Sequence, residues 1–128
     1  MRREILFRGK TSAGEWVEGY YLNRSNEKED IHCIMEKYPA TVGKRVIPET
    51  VGQFTGLYDK NGKKIFEGDI IKYPYHKSYN VIAFENGAFG YTTKRFECFR
   101  SFDDGEDGIA ADLAEVIGNI HDNPELLK

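Results

Sequence analysis

Two Asn-Gly dipeptides, Asn61-Gly62 inside "DKNGKK" and Asn86-Gly87 inside "FENGAF", each stand between short apolar runs. A tight reversal between strands needs positive φ at its central positions, and Asn and Gly tolerate it best, so each dipeptide predicts a β-hairpin. The flanks agree: residues 54–58 enter and 64–66 leave the first turn, while "VIAFE" at 81–85 and "AFGYTT" at 88–93 flank the second. Upstream, "REILFRG" at 3–9, "GEWVEGYYL" at 14–22 and "DIHCIMEKY" at 30–38 are short, β-branched or aromatic, and separated by turn-rich segments. These read as strands too. "KTSAG" closes a hairpin with Gly14 at positive φ, and Gly19 inside the second run, where alternation breaks, predicts a bulge.

Pro48 removes a ladder donor and holds Ile47 extended, which places a subdomain boundary near residue 52. In "EGDIIKY" at 67–73, Gly68 lets the chain turn and Asp69 holds that turn through nearby backbone N–H groups. "KRFECFRSF" at 94–102 adds a strand, residues 116–120 a last one, and Asn123-Pro124 opens a single helical turn. The expectation is a mainly β fold in two parts: an N-terminal β subdomain over 1–52 and an SH3-like small β-barrel over 53–128 with one short C-terminal helical turn. Trp16, Ile70, Ile71, Phe84, Phe89, Val116 and Ile120 are its expected core.

Composition fits such a fold. Hydrophobic residues make up 40% of the 128, with eight Tyr, eight Phe and one Trp, and charged residues make up 30%. No apolar run approaches the ~18 residues of a spanning helix, and the alternating "MRREILFRGK" start lacks the apolar stretch of a signal peptide, so the chain reads as cytoplasmic. Cys33 and Cys98, 65 positions apart with no second Cys or His at metal spacing, predict buried free thiols. Net charge is −3, but residues 1–102 carry +4 and residues 103–128 carry −7. "DDGEDG" at 103–108 reads as a solvated loop, or as an acidic face for a basic surface.

The strings "VIPETVGQFTGLYDKNGKKIFEGDIIKY", "VIAFENGAFGY" and "EVIGNIHDNPELL", in that order and with the "REILFRG" opening, resemble the YopX family of small proteins encoded by bacteriophages and prophages. The resemblance implies a β-rich fold with a barrel-like C-terminal part and a phage or mobile-element origin. It supplies no catalytic residues, because the matching motifs are turn and strand positions.

Acid–base chemistry would draw on His76, His121 and Asp122 with Asp69 or Glu67. Each has a structural alternative: His121 to Pro124 as strand exit and cap, Asp69 as turn holder, His76 as a solvated loop residue. The serines lack an elbow sequence, the three histidines lack a close-spaced pair, and "GLYDKNGKK" lacks Walker spacing, so no catalytic residue, metal ligand or cofactor is assigned. The stronger candidate is "KYPYHKSY". Lys72, Tyr73, Tyr75, His76, Lys77 and Tyr79 interleave rings with cations, the composition of a stacking platform for nucleic acid.

The leading expectation is therefore a phage- or prophage-encoded YopX-like protein, a non-catalytic binding or assembly module for a host or phage protein. The alternatives are a nucleic-acid-binding small barrel and an enzyme with a carboxylate–His site. The 30–38 strand, apolar on both faces, would be a hazard at a sheet edge and predicts a homo-oligomer unless residues 39–47 of the same chain cap it.

Overall fold

The computed structural model describes residues 4–36, 43–74, 79–85, 87–93, 99–101 and 113–127. Two compact units divide the chain, Met1–Phe54 and Thr55–Lys128. The first holds strands β1 (Phe7–Lys10), β2 (Trp16–Asn23), β3 (His32–Glu36) and β4 (Gly43–Val46), a 3-10 turn at Pro48–Thr50, and the start of β5 (Gly52–Tyr58). The second continues from β5 into β6 (Lys64–Phe66), β7 (Asp69–Lys72), β8 (Tyr79–Glu85), β9 (Ala88–Thr93), β10 (Phe99–Ser101) and β11 (Glu115–Asn119), and closes on a 3-10 turn at Pro124–Leu127. The strands form two antiparallel sheets, ordered β4-β3-β2-β1-β5-β6 and β10-β9-β8-β7-β11.

In the first unit Gly14, at φ 85°, closes the β1–β2 hairpin as expected. The pairing runs unbroken from Phe7↔Gly19 to Lys10↔Trp16, so no bulge interrupts β2 at Gly19. Glycine is required there for another reason: a Cβ at position 19 would collide with the backbone carbonyl of Met35 on β3. Strand pleating sends Val17, Ile34 and Val46 to one face, where they form a buried cluster with Phe7, Tyr21 and Val51 packed against it. β3 is an interior strand, paired with β2 on one side and β4 on the other. The chain's own residues 43–46 thus cover the edge on which the expected self-association rested.

In the second unit Ile65, Ile71, Tyr73, Ile82, Tyr91 and Ala114 make the core, with Val116 packed against it. The first hairpin turn is longer than a two-residue reversal. It spans Asp59 to Gly62, closed by the Gly62 N–H donating to the Asp59 carbonyl at 3.0 Å, with Gly62 at φ 78°. Gly68, at φ 91°, and Asp69 build the next turn as read from sequence, the Phe66 N–H donating to Asp69 Oδ2 at 2.7 Å. A bulge does occur, in β11 and not β2, where the register against β7 shifts between Val116 and Gly118.

The barrel expectation is corrected. Among the described strands neither sheet closes: the second ends on β10 and β11, and β5 and β6 hydrogen-bond into the first. Ile70 and Ile71 are buried as expected, and Trp16, Phe89 and Val116 are half-buried, but Phe84 is 50% and Ile120 37% exposed. Phe84 shares the pleat face of buried Ile82 and stacks edge-on against Phe89 across the hairpin, 4.9 Å between centroids. Ile120 follows the last residue of β11, past the paired positions. Residues 103–112 and Cys98 lie outside the described residues; Cys33 is a free, half-buried thiol.

Candidate binding site

Of the six residues expected to form a stacking loop, the structure brings two together and removes one. Lys72 is exposed at the end of β7, facing half-buried Tyr79 across the β7–β8 pair. Tyr73 is only 1% exposed and packs edge-on against Tyr91, 5.8 Å between centroids. Burial, with Tyr91 beside it, pushes its hydroxyl far above the ordinary tyrosine value. A ring committed to the core offers no face to a base. Tyr75, His76 and Lys77 lie outside the described residues.

Of the carboxylates proposed for acid–base work, Asp69 holds backbone instead, as does Asp59, which the sequence reading did not single out. Asp69, 1% exposed, fixes its turn as above. Asp59 accepts from the N–H groups of Asn61 and Lys63 on one oxygen and from that of Val116 on the other, at 2.8, 2.9 and 3.0 Å. Burial pushes the Asp59 carboxyl up, but those three backbone donors outweigh it and hold it below its ordinary value. At the C-terminal end Asn119 Oδ1 accepts from the His121 and Asp122 N–H groups at 3.0 and 2.9 Å, making the strand exit. Among the described residues no three His, Cys, Asp or Glu side chains are grouped to hold a metal.

A histidine–carboxylate contact does form among the described residues, at residues the sequence reading did not single out for acid–base work. His32 Nε2 meets Asp30 Oδ1 at 2.7 Å, and His32 Nδ1 meets the Tyr21 hydroxyl. A carboxylate only accepts, so the proton sits on Nε2 and Nδ1 accepts from Tyr21 in the neutral ring. Ser25 donates its hydroxyl to the same Asp30 oxygen at 2.8 Å while accepting from the Ile31 N–H, and the Asn26 side chain accepts from the Lys28 and Glu29 N–H groups. The relay therefore ends in the hydrogen bonds that shape the β2–β3 connection. Burial, then the Asp30 charge, raise the Tyr21 hydroxyl above its ordinary value, the opposite of what activates a nucleophile.

The other face of the same sheet has a different chemistry. Register and pleating place Arg8, Lys10, Trp16, Glu18 and Tyr20 together on the side opposite Val17 and Ile34. The Arg8 guanidinium lies 4.8 Å from the Trp16 ring centroid and Lys10 Nζ 6.0 Å from it. Tyr20, farther along β2, is 49% exposed. Pairing of Tyr20 with Met35, and of Cys33 with Arg45, carries this face across β3 to β4, where Arg45 is exposed.

The model of the YopX protein family matches residues 6–128. The chain belongs to the YopX family. Among solved structures, the crystal structure of protein EF1440 from Enterococcus faecalis is similar to this YopX member, with 28% sequence identity, a TM-score of 0.60, and alignment over 99% of this chain and all of the other. Among curated protein sequences none matches significantly.

The aromatic and basic face of this YopX protein had a signal in the sequence. The hairpin turn itself was read one residue early, at "KTSAG": it spans residues 11–15, which sets Lys10 opposite Trp16, and Arg8 follows by the two-residue period. Tyr21 and His32 had none. An eight-residue polar connection separates their strands, and its length leaves the register undetermined.

Proposed function

We propose that this YopX family member is a phage- or prophage-encoded binding or assembly module without catalytic chemistry of its own, acting in the cytoplasm. The observation that carries the reading is the face of the first sheet opposite Val17 and Ile34, where half-buried Trp16 is flanked by Arg8 and Lys10 while Tyr20 stands 49% exposed. Large aromatic side chains beside cations are characteristic of recognition surfaces. The buried carboxylates support the same reading from the other side, since Asp59 and Asp69 accept from backbone N–H groups that shape turns. Self-association belongs to the proposal with β4 in place of β3, because β4 ends the described strand order.

A photo-crosslinking residue at position 20, compared with one at position 61 on the Asp59–Gly62 turn, tests it in nuclease-treated and untreated host lysate. Adducts specific to position 20 are expected. Equal labelling at both positions, or none at 20, would remove the reading. Light scattering coupled to size exclusion reads the assembly, and a monomeric mass throughout the micromolar range would remove that part. Phage or prophage origin is tested by whether virion or integrase genes flank the coding sequence.

A further inference from the structure

We infer that the face of β1–β4 opposite Val17 and Ile34 binds single-stranded nucleic acid, with Tyr20 as a base-stacking ring and Lys10 and Arg45 as phosphate partners. This rests on the reading of that face as a recognition surface and names the ligand class.

The charge on the face is the first argument. Lys10 and Arg45 share it with Glu18, while Arg8 lies on the same face with its Nε and Nη2 buried. Lys10 Nζ lies 6.0 Å from the Trp16 ring centroid, a contact that orients it before any ligand arrives. The acidic excess that would repel a polyanion belongs to residues 103–128, whereas residues 1–102 carry +4.

Geometry selects a single strand over a duplex. Trp16 and Tyr20 lie on one pleat face four residues apart along β2, which at 3.2–3.4 Å per residue separates them by about 13 Å. Stacked bases in a duplex are about 3.4 Å apart along each strand, so this spacing suits splayed bases. A broad strand surface with an exposed ring is also how sheet-based modules receive unstacked bases, while duplex readers insert a helix or a narrow ribbon into a groove. The stacking function expected at residues 72–79 thus moves to another sheet, because Tyr73 is in the core and Tyr20 is in solvent.

Fluorescence anisotropy with a labelled mixed-sequence oligonucleotide, as single-stranded DNA, single-stranded RNA and duplex DNA, tests the inference on the full chain. Saturable binding to either single strand, weaker on the duplex, is expected. Tyr20→Ala should weaken it about 5- to 150-fold, the range measured for one stacked base, while Tyr20→Trp preserves it. Arg45→Ala should lower the slope of log K against log salt by about 0.7, the single-strand value for one phosphate contact. Far-ultraviolet circular dichroism confirms that each exposed-site variant is folded. No binding at low salt, equal affinity for the duplex, or a Tyr20→Ala protein that binds as wild type overturns the inference. So does loss of binding on joint replacement of Tyr75 and Lys77 with Tyr20→Ala unaffected. If oligonucleotides fail to bind but nuclease-resistant adducts persist at position 20, the nucleic-acid inference falls and the binding-module reading stands.

Discussion

Tyr21 and His32 meet diagonally across β2 and β3: their direct partners are Ile34 and Asn23, yet the Tyr21 hydroxyl reaches Nδ1 of the imidazole. With Asp30 on Nε2, both ring nitrogens are occupied and the ring is fixed in one tautomer.

Long-range proton–nitrogen spectra should find His32 protonated on Nε2 in the neutral ring, and a tautomer mixture in Asp30→Ala. Tyr21→Phe should lower unfolding free energy by about 1 kcal/mol in urea, the net worth of a typical hydrogen bond. The Ser25 hydroxyl first, then the imidazole, hold the Asp30 carboxyl below 3.8. Its contribution is therefore complete above the unfolded-state value and fades as pH falls through the lower folded one. A carboxyl-carbon titration of Asp30 with a midpoint at or above 3.8 would refute this.

Asp59 receives three backbone donors, so Asp59→Ala leaves them without their acceptor and should destabilise by about 2–4 kcal/mol, each charged hydrogen bond being worth roughly 1.5–3 and partly replaced by water. Asp59→Asn, which retains one acceptor oxygen, should lie between. The folded carboxyl titrates below 3.8, so its stabilisation is present above that pH and lost as acid carries it through the folded value. Urea midpoints of wild type and Asp59→Asn should keep their separation above pH 3.8 and draw together as pH falls below it; parallel curves would show that Asp59 is not the linked group.

Alanine at two glycines should act through different physics. At Gly19 the added methyl meets the Met35 carbonyl, so the backbones of β2 and β3 must separate and the loss should be about 3 kcal/mol or more. At Gly62 nothing lies within 4 Å, and only the φ of 78° opposes the change, at about 1–2 kcal/mol. Denaturant unfolding of the two variants ranks them; equal losses would contradict the close approach at Gly19.

Tyr73 predicts an alkaline transition. Its folded pKa is raised by burial above the 10.0 of a free tyrosine, so its stabilisation is complete below pH 10 and declines as pH rises toward the folded value. Ultraviolet titration should show at least one of the eight tyrosines ionising only when the protein unfolds, and Tyr73→Phe should reduce the amplitude of that step. If all eight titrate together in the native protein, Tyr73 is not sealed in the core.

Turn chemistry was legible because it is local: Gly14, Gly62 and Gly68 all have positive φ, and Asp69 holds the turn read for it. Closure was not legible, since whether β11 ends a sheet or meets another edge depends on pairings that no short window contains. The same limit hid the partner of β3 and placed Phe84 in the core. Alternation assigns Phe84 to the apolar face but does not say how far along the hairpin that face stays covered. Tyr73 shows the limit for sites, because a tyrosine between Lys72 and Pro74 has the same composition in a stacking loop and in a core strand.

During synthesis the carboxylate of Asp59 is made 57 residues before the Val116 N–H that it binds. At about 5–20 residues per second that is an interval of roughly 3 to 11 s. The neighbouring Lys60 N–H waits for the Ala114 carbonyl over nearly the same span. A nascent chain stalled in that window presents Ile71 and Ile82 with their last strand missing, and is the form most open to chaperones and proteases. Strand β11 thus completes this unit, and nonsense truncations ahead of position 116 should clear from the cell as fast as missense changes in the core.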